Sequence, residues 1–220
     1  MCGRFIQAAS GEVLTQQLGL MLPADYAPRY NVAPNQTVLA IRATENGRQP
    51  AWLRWGLIPA WAREPRLKYS TINARAETVA EKPAYRQAFR QRRCLIPADG
   101  FYEWRKVGDR KQPYCIGMAD GAPFAFAGLW EHWARDDEAV DSCTILVTQA
   151  NERISEIHDR MPVILDPLDY DAWLDPTGRE AARGLPLLRS YPGERMRLWP
   201  VGSAVNRPAN QGPALMEPVG

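Results

Sequence analysis

The sequence predicts an α+β protein of one domain, built on a curved sheet or barrel. Three observations lead to this fold class. Short apolar runs typical of strands alternate along the chain with a few short helical patterns. The 19 prolines are scattered rather than gathered into a linker, and no internal repeat divides the 220 residues. A chain of this length can bury a sizeable core without disulfides or a structural metal.

Four segments have the spacing or the boundary residues of helices. The first is Glu12–Leu20, where we expect one apolar face formed by Val13, Leu14, Leu18 and Leu20. The other three are Ala84–Arg92 after Pro83, Asn151–Ile157 with Asn151 as its N-cap, and Leu168–Leu174.

The predicted strands are short, and turn residues separate them. Thr37–Arg42 and Ala51–Trp55 flank a turn at Glu45-Asn46-Gly47 and therefore predict a hairpin. The later predicted strands are Cys94–Ile96, Phe101–Lys106, Tyr114–Met118, Phe124–Trp133, Thr144–Thr148 and Arg197–Val201. Gly56–Thr71 is interpreted as an aromatic, proline-bearing loop. We expect residues 1–220 to form the single domain, with a flexible tail from about 213 to 220.

The charges of the chain are nearly balanced, but they are unevenly distributed. There are 27 Lys and Arg against 25 Asp and Glu, a formal net charge of +2. Residues 1–110 carry a balance of +8, from 17 basic and 9 acidic residues, whereas residues 111–220 carry −6, from 10 and 16. Of the basic residues 23 are Arg, whose planar guanidinium suits phosphate. The basic half suggests an anionic partner, although an Arg-rich codon bias explains the composition equally well.

Composition and cysteine spacing exclude several classes of protein. With 45% hydrophobic and 24% charged residues, the chain is unlike disordered, collagen-like or disulfide-scaffold proteins. It contains neither an apolar run near the roughly 18 residues that span a membrane nor a signal-peptide core, so we expect a cytoplasmic protein without a membrane partner. No CxxC pair occurs among the 4 cysteines, so we predict no metal site and no cofactor. Cys94, Cys115 and Cys143 lie in apolar runs and are interpreted as buried thiols.

Cys2 differs from these cysteines because removal of Met1 would make it the first residue. Its α-amine, with a reference pKa near ~7.7–8, and its thiol, near ~8.5, would then lie on neighbouring carbons. The thiol alone can attack an acyl group, as in N-terminal nucleophile hydrolases. Alternatively, the amine condenses with an aldehyde and the thiol closes the imine into a thiazolidine. The alternative is that Cys2 has only a structural role, as a small residue in a first strand.

Three residues are candidate partners of Cys2. His158 lies in a predicted turn beside Arg160, where catalytic residues often occur, and is favoured over His132 in a strand-like run. Glu103 lies between aromatic residues after a Gly turn, so partial desolvation would raise its pKa and fit it for acid–base work. Asn73 lies in a segment without clear periodicity and can orient a substrate. The alternatives are a structural or exposed His, a solvent-facing Glu and a turn-capping Asn.

The stretch Leu53–Arg63 interleaves Trp with Arg. Aromatic surfaces beside cations are typical of single-stranded nucleic acid sites. Core Trp with surface Arg is the alternative. We expect Trp55 to be buried and Trp61, after Pro59 in the loop, to be exposed.

Six segments in order resemble the SRAP family, the SOS-response-associated peptidases, and the resemblance spans residues 2 to about 212. These segments are Met1-Cys2-Gly3-Arg4-Phe5, Arg29-Tyr30-Asn31-Val32-Ala33-Pro34, Trp55-Gly56-Leu57-Ile58-Pro59, Ile72-Asn73-Ala74-Arg75-Ala76-Glu77-Thr78, Cys94-Leu95-Ile96-Pro97-Ala98-Asp99-Gly100-Phe101-Tyr102-Glu103-Trp104 and Ile157-His158-Asp159-Arg160-Met161-Pro162. The region around Asn206-Arg207-Pro208 resembles the family more loosely.

The resemblance implies a compact domain with a barrel-like, mainly antiparallel β core and peripheral short helices. It also implies a protein that senses abasic sites in single-stranded DNA and crosslinks to them covalently through Cys2, as a thiazolidine, during the DNA damage response. The resemblance further implies a self-processing peptidase activity and a weak lyase activity. By motif, Cys2 is the nucleophile, with Asn73, Glu103 and His158 as its catalytic partners. The positions expected to contact DNA are Arg4, Asn31, Pro34, Trp61, Arg75, Thr148 and Arg160.

The chain departs from the family pattern at two places. Ala62 follows Trp61 where two adjacent Trp are expected, and only Lys82 can supply a basic residue expected after Arg75. We expect a monomer that is associated with the nucleoid when it is bound to DNA. Two other functions stay open on the sequence: a peptidase with an N-terminal Cys that acts on other proteins, and a non-catalytic binder of single-stranded DNA.

Overall fold

The strands of this protein form two sheets that share a core. The structure, a computed structural model, describes residues 2–175 and 184–219. Thirteen strands lie within these residues: β1 (Phe5–Gln7), β2 (Arg29–Val32), β3 (Thr37–Thr44), β4 (Gly47–Trp55), β5 (Asn73–Arg75), β6 (Arg93–Ala98), β7 (Gly100–Val107), β8 (Arg110–Met118), β9 (Phe124–Arg135), β10 (Glu138–Gln149), β11 (Arg160–Pro162), β12 (Ile164–Leu165) and β13 (Met196–Pro200).

Five of these strands close into a barrel. β4 pairs with β3, β3 with β6, β6 with β9 and β9 with β10, all antiparallel, and β10 returns to β4 in a parallel pairing. Successive side chains of a strand point to opposite faces. In β4, Ala51, Leu53 and Trp55 are therefore buried inside the barrel, whereas the intervening Trp52 and Arg54 are partly exposed. The predicted α+β class with a barrel-like, mainly antiparallel core is confirmed.

A second, antiparallel sheet has the strand order β13-β8-β7-β1-β2, and its inner face packs on the barrel core. Phe5 of β1 is fully buried, with its ring edge-to-face to Trp55 at 5.1 Å and to Phe126 at 5.7 Å. Edge-to-face pairs add about 0.5–1.5 kcal/mol beyond the burial of their area. These contacts fix the start of the chain against the barrel.

The helices are short and cover the outer face of the barrel. They are α1 (Gly11–Leu18), α2 (Arg86–Gln91) and α3 (Tyr170–Leu174). Leu14 and Leu18 of α1 join the outer core as predicted, but Val13 is 44% exposed, so it does not belong to the buried face of the helix. In place of the predicted helix 151–157 there is a 3₁₀ turn at Ile154–Glu156, with Asn151 Oδ1 accepting the Ile154 N–H at 2.9 Å.

Most predicted strands are present and extend further than expected, and the hairpin of β3 and β4 turns at the predicted residues. The strands β1, β2, β5, β11 and β12 were not predicted. Residues 213–219, within the segment for which we expected a flexible tail, pack on the domain. Leu215 is buried, and the Val219 N–H donates to the Pro200 carbonyl at 3.0 Å. No helix among the described residues is long and apolar enough to cross a membrane.

Candidate active site

Cys2 lies three residues before β1, in the core cluster to which both sheets contribute. β1 is flanked by β7 on one edge and by β2 on the other. Phe5 pairs with Phe101, and the Tyr102 N–H donates to the Arg4 carbonyl at 3.0 Å, so the pairing continues toward the start of the chain. Because the pairing is antiparallel, Glu103 comes alongside the first residues. Cys2 itself is fully buried, and so are Cys94, Cys115 and Cys143 as predicted.

Glu103 lies close enough to Cys2 and to His158 to interact electrostatically with each of them. Burial raises the pKa of the Cys2 thiol far above its usual range, and the negative charge of Glu103 raises it further. Burial also raises the pKa of Glu103, which is 4% exposed, and His158 acts in the opposite direction. The predicted desolvation of Glu103 is therefore confirmed. The thiol rests in its protonated form, and the carboxyl group is poised to exchange a proton.

The surroundings of His158 determine where its ring carries a proton. Nδ1 lies 2.9 Å from the Arg160 amide nitrogen and 2.9 Å from an Asp159 carboxylate oxygen. In the neutral ring Nδ1 accepts the Arg160 N–H, which assigns the proton to Nε2; in the charged ring Nδ1 donates to Asp159. Nε2 is thus a proton donor in both states. His132 lies outside this cluster, exposed on β9 with Nδ1 2.7 Å from Asp141.

Asn73 presents an amide group that the protein does not use. It lies on β5, opposite Ile145 of β10. Its Oδ1 and Nδ2 are both buried, and neither has a hydrogen-bond partner in the part of the chain that the structure describes. An unsatisfied buried polar group costs about 1–3 kcal/mol, so such groups call for a functional explanation. This amide is available to a ligand.

The strand that carries Asn73 is anchored from its free edge. The Tyr85 hydroxyl donates to the Asn73 carbonyl oxygen at 3.2 Å, and burial raises the pKa of Tyr85 to about 12. Two residues earlier, the Pro83 carbonyl accepts the Trp61 indole N–H at 3.3 Å. Trp61 is 52% exposed and Trp55 is fully buried, as predicted. The turn before α2 therefore contacts both a predicted catalytic residue and a predicted DNA-contacting residue.

Ile72, the residue before Asn73, lines an open groove of about 790 Å³. Pro34, Asn35 and the loop around Tyr69 also line it. Its cationic lining residues are Arg54, Arg66 and Lys68. Tyr69 is 52% exposed, so its ring is available for stacking. Of the residues predicted to contact DNA, Pro34 lines this groove.

A second group of predicted DNA-contacting residues lies around the end of β10. Arg75 pairs with Val147, and Thr148 pairs with Met161, which follows Arg160. Arg75 is exposed, whereas Thr148 is buried. The Arg160 guanidinium lies 2.5 Å from a Glu77 carboxylate oxygen, so it already has an anionic partner.

Arg4 and Asn31 are used within the protein. Arg4 Nη1 donates to Asn31 Oδ1 at 2.8 Å and to the Val205 carbonyl at 2.7 Å. Asn31 is fully buried, and its Nδ2 donates to the carbonyls of Val205, Arg207 and Asn210. The hydrogen bonds of Arg4 and Asn31 therefore connect β2 to the region around 206–208, which resembles the family more loosely. Lys82 is exposed in the turn before α2.

Comparison with known proteins identifies the family. The family model for SOS response associated peptidase (SRAP) matches residues 1–208. The chain belongs to the SRAP family. The four residues predicted to be catalytic and the lining of the groove all fall within the matched SRAP segment.

The relatives of this SRAP chain include bacterial and vertebrate proteins named for abasic sites. Abasic site processing protein YoqW of Bacillus subtilis is 41% identical and aligns over 99% of both chains. Abasic site processing protein YedK of Escherichia coli is 34% identical over the whole of both chains. Abasic site processing protein HMCES of Xenopus tropicalis is 33% identical and aligns over 87% of this chain and 66% of its own length.

Solved structures support the same SRAP assignment of the fold. A protein from Bacteroides thetaiotaomicron superimposes with a TM-score of 0.83 at 26% identity, covering 98% of this chain and 99% of that chain. One from Bordetella bronchiseptica gives a TM-score of 0.82 at 29% identity, over 91% and 100%.

Some residues of the candidate site were missed from the sequence. Arg66, Lys68 and Tyr69 carry a signal that could have been used, because cations and an aromatic residue alternate there within a predicted loop. No sequence signal marks Tyr85, because its contact with Asn73 depends on how the turn before α2 folds back onto β5. Within the described residues, no three or more His, Cys, Asp or Glu side chains are grouped so that they could hold a metal ion.

Proposed function

We propose that this SRAP protein recognises abasic sites in single-stranded DNA and, after removal of Met1, crosslinks to them through Cys2 as a thiazolidine. The observation that carries the proposal is the position of a buried Cys2 next to Glu103, which in turn interacts with His158. The unpaired Asn73 amide follows Ile72, a lining residue of the groove that carries three cations. The names of the relatives, which process abasic sites, support DNA containing this lesion as the substrate.

The protonated state of the thiol supports a reaction that begins at the amine. A fully buried thiol with a strongly raised pKa is a poor attacking group on its own, since the thiolate is the nucleophile. The Cys2 amine has an ordinary value near ~7.7–8, so a large fraction is neutral near pH 7.5. A reaction that begins at the amine favours crosslinking to an aldehyde over the peptidase alternative. Such a peptidase would need a Cys2 thiolate to attack other proteins.

The reaction passes through ring opening, imine formation and ring closure. His158 Nε2 protonates the sugar ring oxygen, the anomeric hydroxyl loses its proton to solvent, and the ring opens to the aldehyde. Solvent returns the proton to His158. The amine nitrogen bonds to the aldehyde carbon, and loss of one water gives the imine. The Cys2 sulfur then bonds to the imine carbon, its proton leaves through Glu103, and the former imine nitrogen gains a proton. Asn73 holds the amine or the sugar in place. The net change is the aldehyde plus Cys2 giving the thiazolidine and one water.

The same groups account for the two secondary activities that the family resemblance implies. The imine acidifies the neighbouring sugar carbon, so a base such as Glu103 can remove its proton and expel the 3′ phosphate, which is lyase chemistry. Self-processing would be cleavage of the Met1–Cys2 amide by the same cluster. The stable adduct would shield the lesion during the DNA damage response.

A trapping experiment tests the order of bond formation. Wild type and Cys2→Ala are each incubated with an abasic oligonucleotide, with and without borohydride, and analysed after denaturation. We expect wild type to give an adduct in both conditions and Cys2→Ala to give one only with borohydride, which reduces the imine. A denaturation-resistant adduct of Cys2→Ala without reductant would overturn the thiazolidine. A control with a tag that blocks the amine should give no adduct in either condition.

A further inference from the structure

Arg160 has two partners, one for its side chain and one for its backbone. Its guanidinium Nη1 lies 2.5 Å from Glu77 Oε1. When the His158 ring is neutral, the Arg160 backbone N–H donates to His158 Nδ1 at 2.9 Å. The backbone of Arg160 therefore orients a predicted catalytic side chain, whereas its own side chain, predicted to contact DNA, is occupied by a carboxylate.

The fold holds the two members of this ion pair to different degrees. Arg160 begins β11 and pairs with Gln149 of β10. Glu77 lies in the turn that follows β5. A residue in a strand is fixed by its ladder, whereas residues in surface turns are more mobile. If the ion pair opens, Glu77 is the member that moves away and Arg160 stays in place.

The ion pair is accessible to a competing anion. The Arg160 and Glu77 side chains are 18% and 43% exposed. Ion pairs that reach solvent are weak, because water and salt screen them. A guanidinium carries five N–H donors and can bind a phosphate through two parallel hydrogen bonds. A phosphate can therefore replace the single contact that Glu77 makes with Nη1.

The charges around the ion pair favour a phosphate at this position. Arg75 lies two residues before Glu77, is exposed, and makes no ion pair with another residue that the structure describes. Asp159, which precedes Arg160, lies 2.9 Å from His158 Nδ1. Glu77 is thus the carboxylate that neutralises Arg160. Opening the ion pair adds the charge of Arg160 to that of Arg75.

We propose that Glu77 is an internal substitute for a DNA phosphate, which occupies the Arg160 guanidinium in the free protein and yields it when DNA binds. Each binding event then exchanges a carboxylate for a phosphate and leaves the charge of Glu77 unpaired beside the strand. Glu77 therefore lowers the affinity for DNA and determines how readily a strand is released before the covalent step. The inference rests on the proposed function, because it takes the DNA backbone to pass Arg160.

A double-mutant cycle tests this exchange. Fluorescence anisotropy gives the affinities of wild type, Glu77→Gln, Arg160→Gln and the double variant for a single strand that carries a non-reactive tetrahydrofuran abasic analogue. The salt concentration is about 0.1 M, at which the Debye length is about 10 Å. Glu77→Asp is added, because its shorter side chain keeps the charge but draws back from Arg160. The matched control is Glu81→Gln, which removes an exposed carboxylate from the same turn.

We expect Glu77→Gln to bind the strand about three- to tenfold more tightly than wild type, because Arg160 no longer has a competing partner. Glu77→Asp should also bind more tightly, by a smaller factor, and Arg160→Gln should bind more weakly. In the Arg160→Gln background the change at Glu77 should lose most of its effect. Glu81→Gln should stay within about 1.5-fold of wild type, because its charge is screened.

The crosslinking rate separates competition for Arg160 from support of the catalytic residues. At saturating abasic DNA, Glu77→Gln should crosslink at the wild-type rate, because the pairing of β11 with β10 holds the Arg160 backbone that orients His158. A slower rate with unchanged affinity would assign Glu77 to the support of His158 and would overturn the exchange.

Unchanged or weaker DNA binding by Glu77→Gln would also overturn the exchange. So would a gain of the same size in the Arg160→Gln background or in Glu81→Gln, since either result would indicate general repulsion. Melting temperatures show whether each variant is folded. Should Arg160→Gln fail to fold, Glu77→Asp decides, because binding equal to that of wild type would contradict the exchange. An absent crosslink in wild type contradicts the proposed function, whereas the affinities for the non-reactive strand still test the role of Glu77.

Discussion

Glu103 is the residue whose environment most directly sets the pH at which the site can work. Burial raises its pKa, so the carboxylate is lost at a higher pH than for an exposed Glu. If it accepts a proton during crosslinking, the rate should fall as the pH drops through this raised pKa. The single-turnover crosslinking rate of wild type, measured as a function of pH, should show this acid limb: the rate should fall at a pH above the usual pKa range of Glu.

Glu103→Gln should lose that limb and slow crosslinking by about 10²–10⁴-fold. The variant should also be more stable than wild type at neutral pH. A raised pKa in the folded state means that the charged group opposes folding, and its stabilising contribution is lost as the pH rises through that pKa. Thermal melting at pH 5 and pH 8 measures this, with the larger gain expected at pH 8. An unchanged pH profile would remove Glu103 from proton transfer.

A change of Asn73 should affect crosslinking without lowering stability, because its side-chain amide has no hydrogen-bond partner within the described residues. Asn73→Ala removes two buried unsatisfied groups, so we expect a melting temperature equal to or above that of wild type. Crosslinking should nonetheless slow by about 10–100-fold, because the amine or the sugar is no longer held in place. A variant that melts early, or one that crosslinks at the wild-type rate, would contradict the role assigned to this amide.

At the scale of elements, β5 is held between β10 and the hydroxyl of Tyr85. Tyr85→Phe removes one hydrogen bond, worth about 0.5–1.5 kcal/mol, from the free edge of the strand. We expect the crosslinking rate at saturating DNA to fall a few-fold while the DNA dissociation constant stays constant, because Tyr85 acts through the position of Asn73. Tyr26→Phe is the matched control, because it removes a comparable hydrogen bond, from the Tyr26 hydroxyl to the Ala9 carbonyl at 2.9 Å. A change in affinity alone would place Tyr85 in DNA binding instead.

The elements also show what the sequence can predict. The hairpin of β3 and β4 was predictable because alternation and an Asn-Gly turn act within a few residues. The strands β1, β2 and β5 are three or four residues long, and their pairing partners lie far away in the chain, so local pattern does not reveal them. The closure of β10 on β4 and the hydrogen bond from Tyr85 to Asn73 are equally non-local. The motifs predicted the candidate catalytic residues, but only the fold shows that Arg4 and Asn31 bind each other.

At the scale of the whole molecule, the uneven charge predicts how binding responds to salt. The groove draws its cations Arg54, Arg66 and Lys68 from the basic first half of the chain, so the near-neutral total conceals an uneven distribution of charge. Arg66→Gln/Lys68→Gln should flatten the salt slope for single-stranded DNA by about 1.4, at 0.7 per contact. Arg86→Gln/Arg90→Gln, which removes the same charge from α2, should leave the slope unchanged. Equal effects of the two variants would argue for general charge attraction rather than a path through the groove.

The most direct test of the central claim is the intact mass of the wild-type protein after incubation with a single-stranded abasic oligonucleotide under denaturing conditions. We predict a protein without Met1 and an adduct whose mass is the sum of that protein and the oligonucleotide less one water. An adduct that retains Met1, or the absence of any covalent species, would contradict crosslinking through the amine and thiol of Cys2.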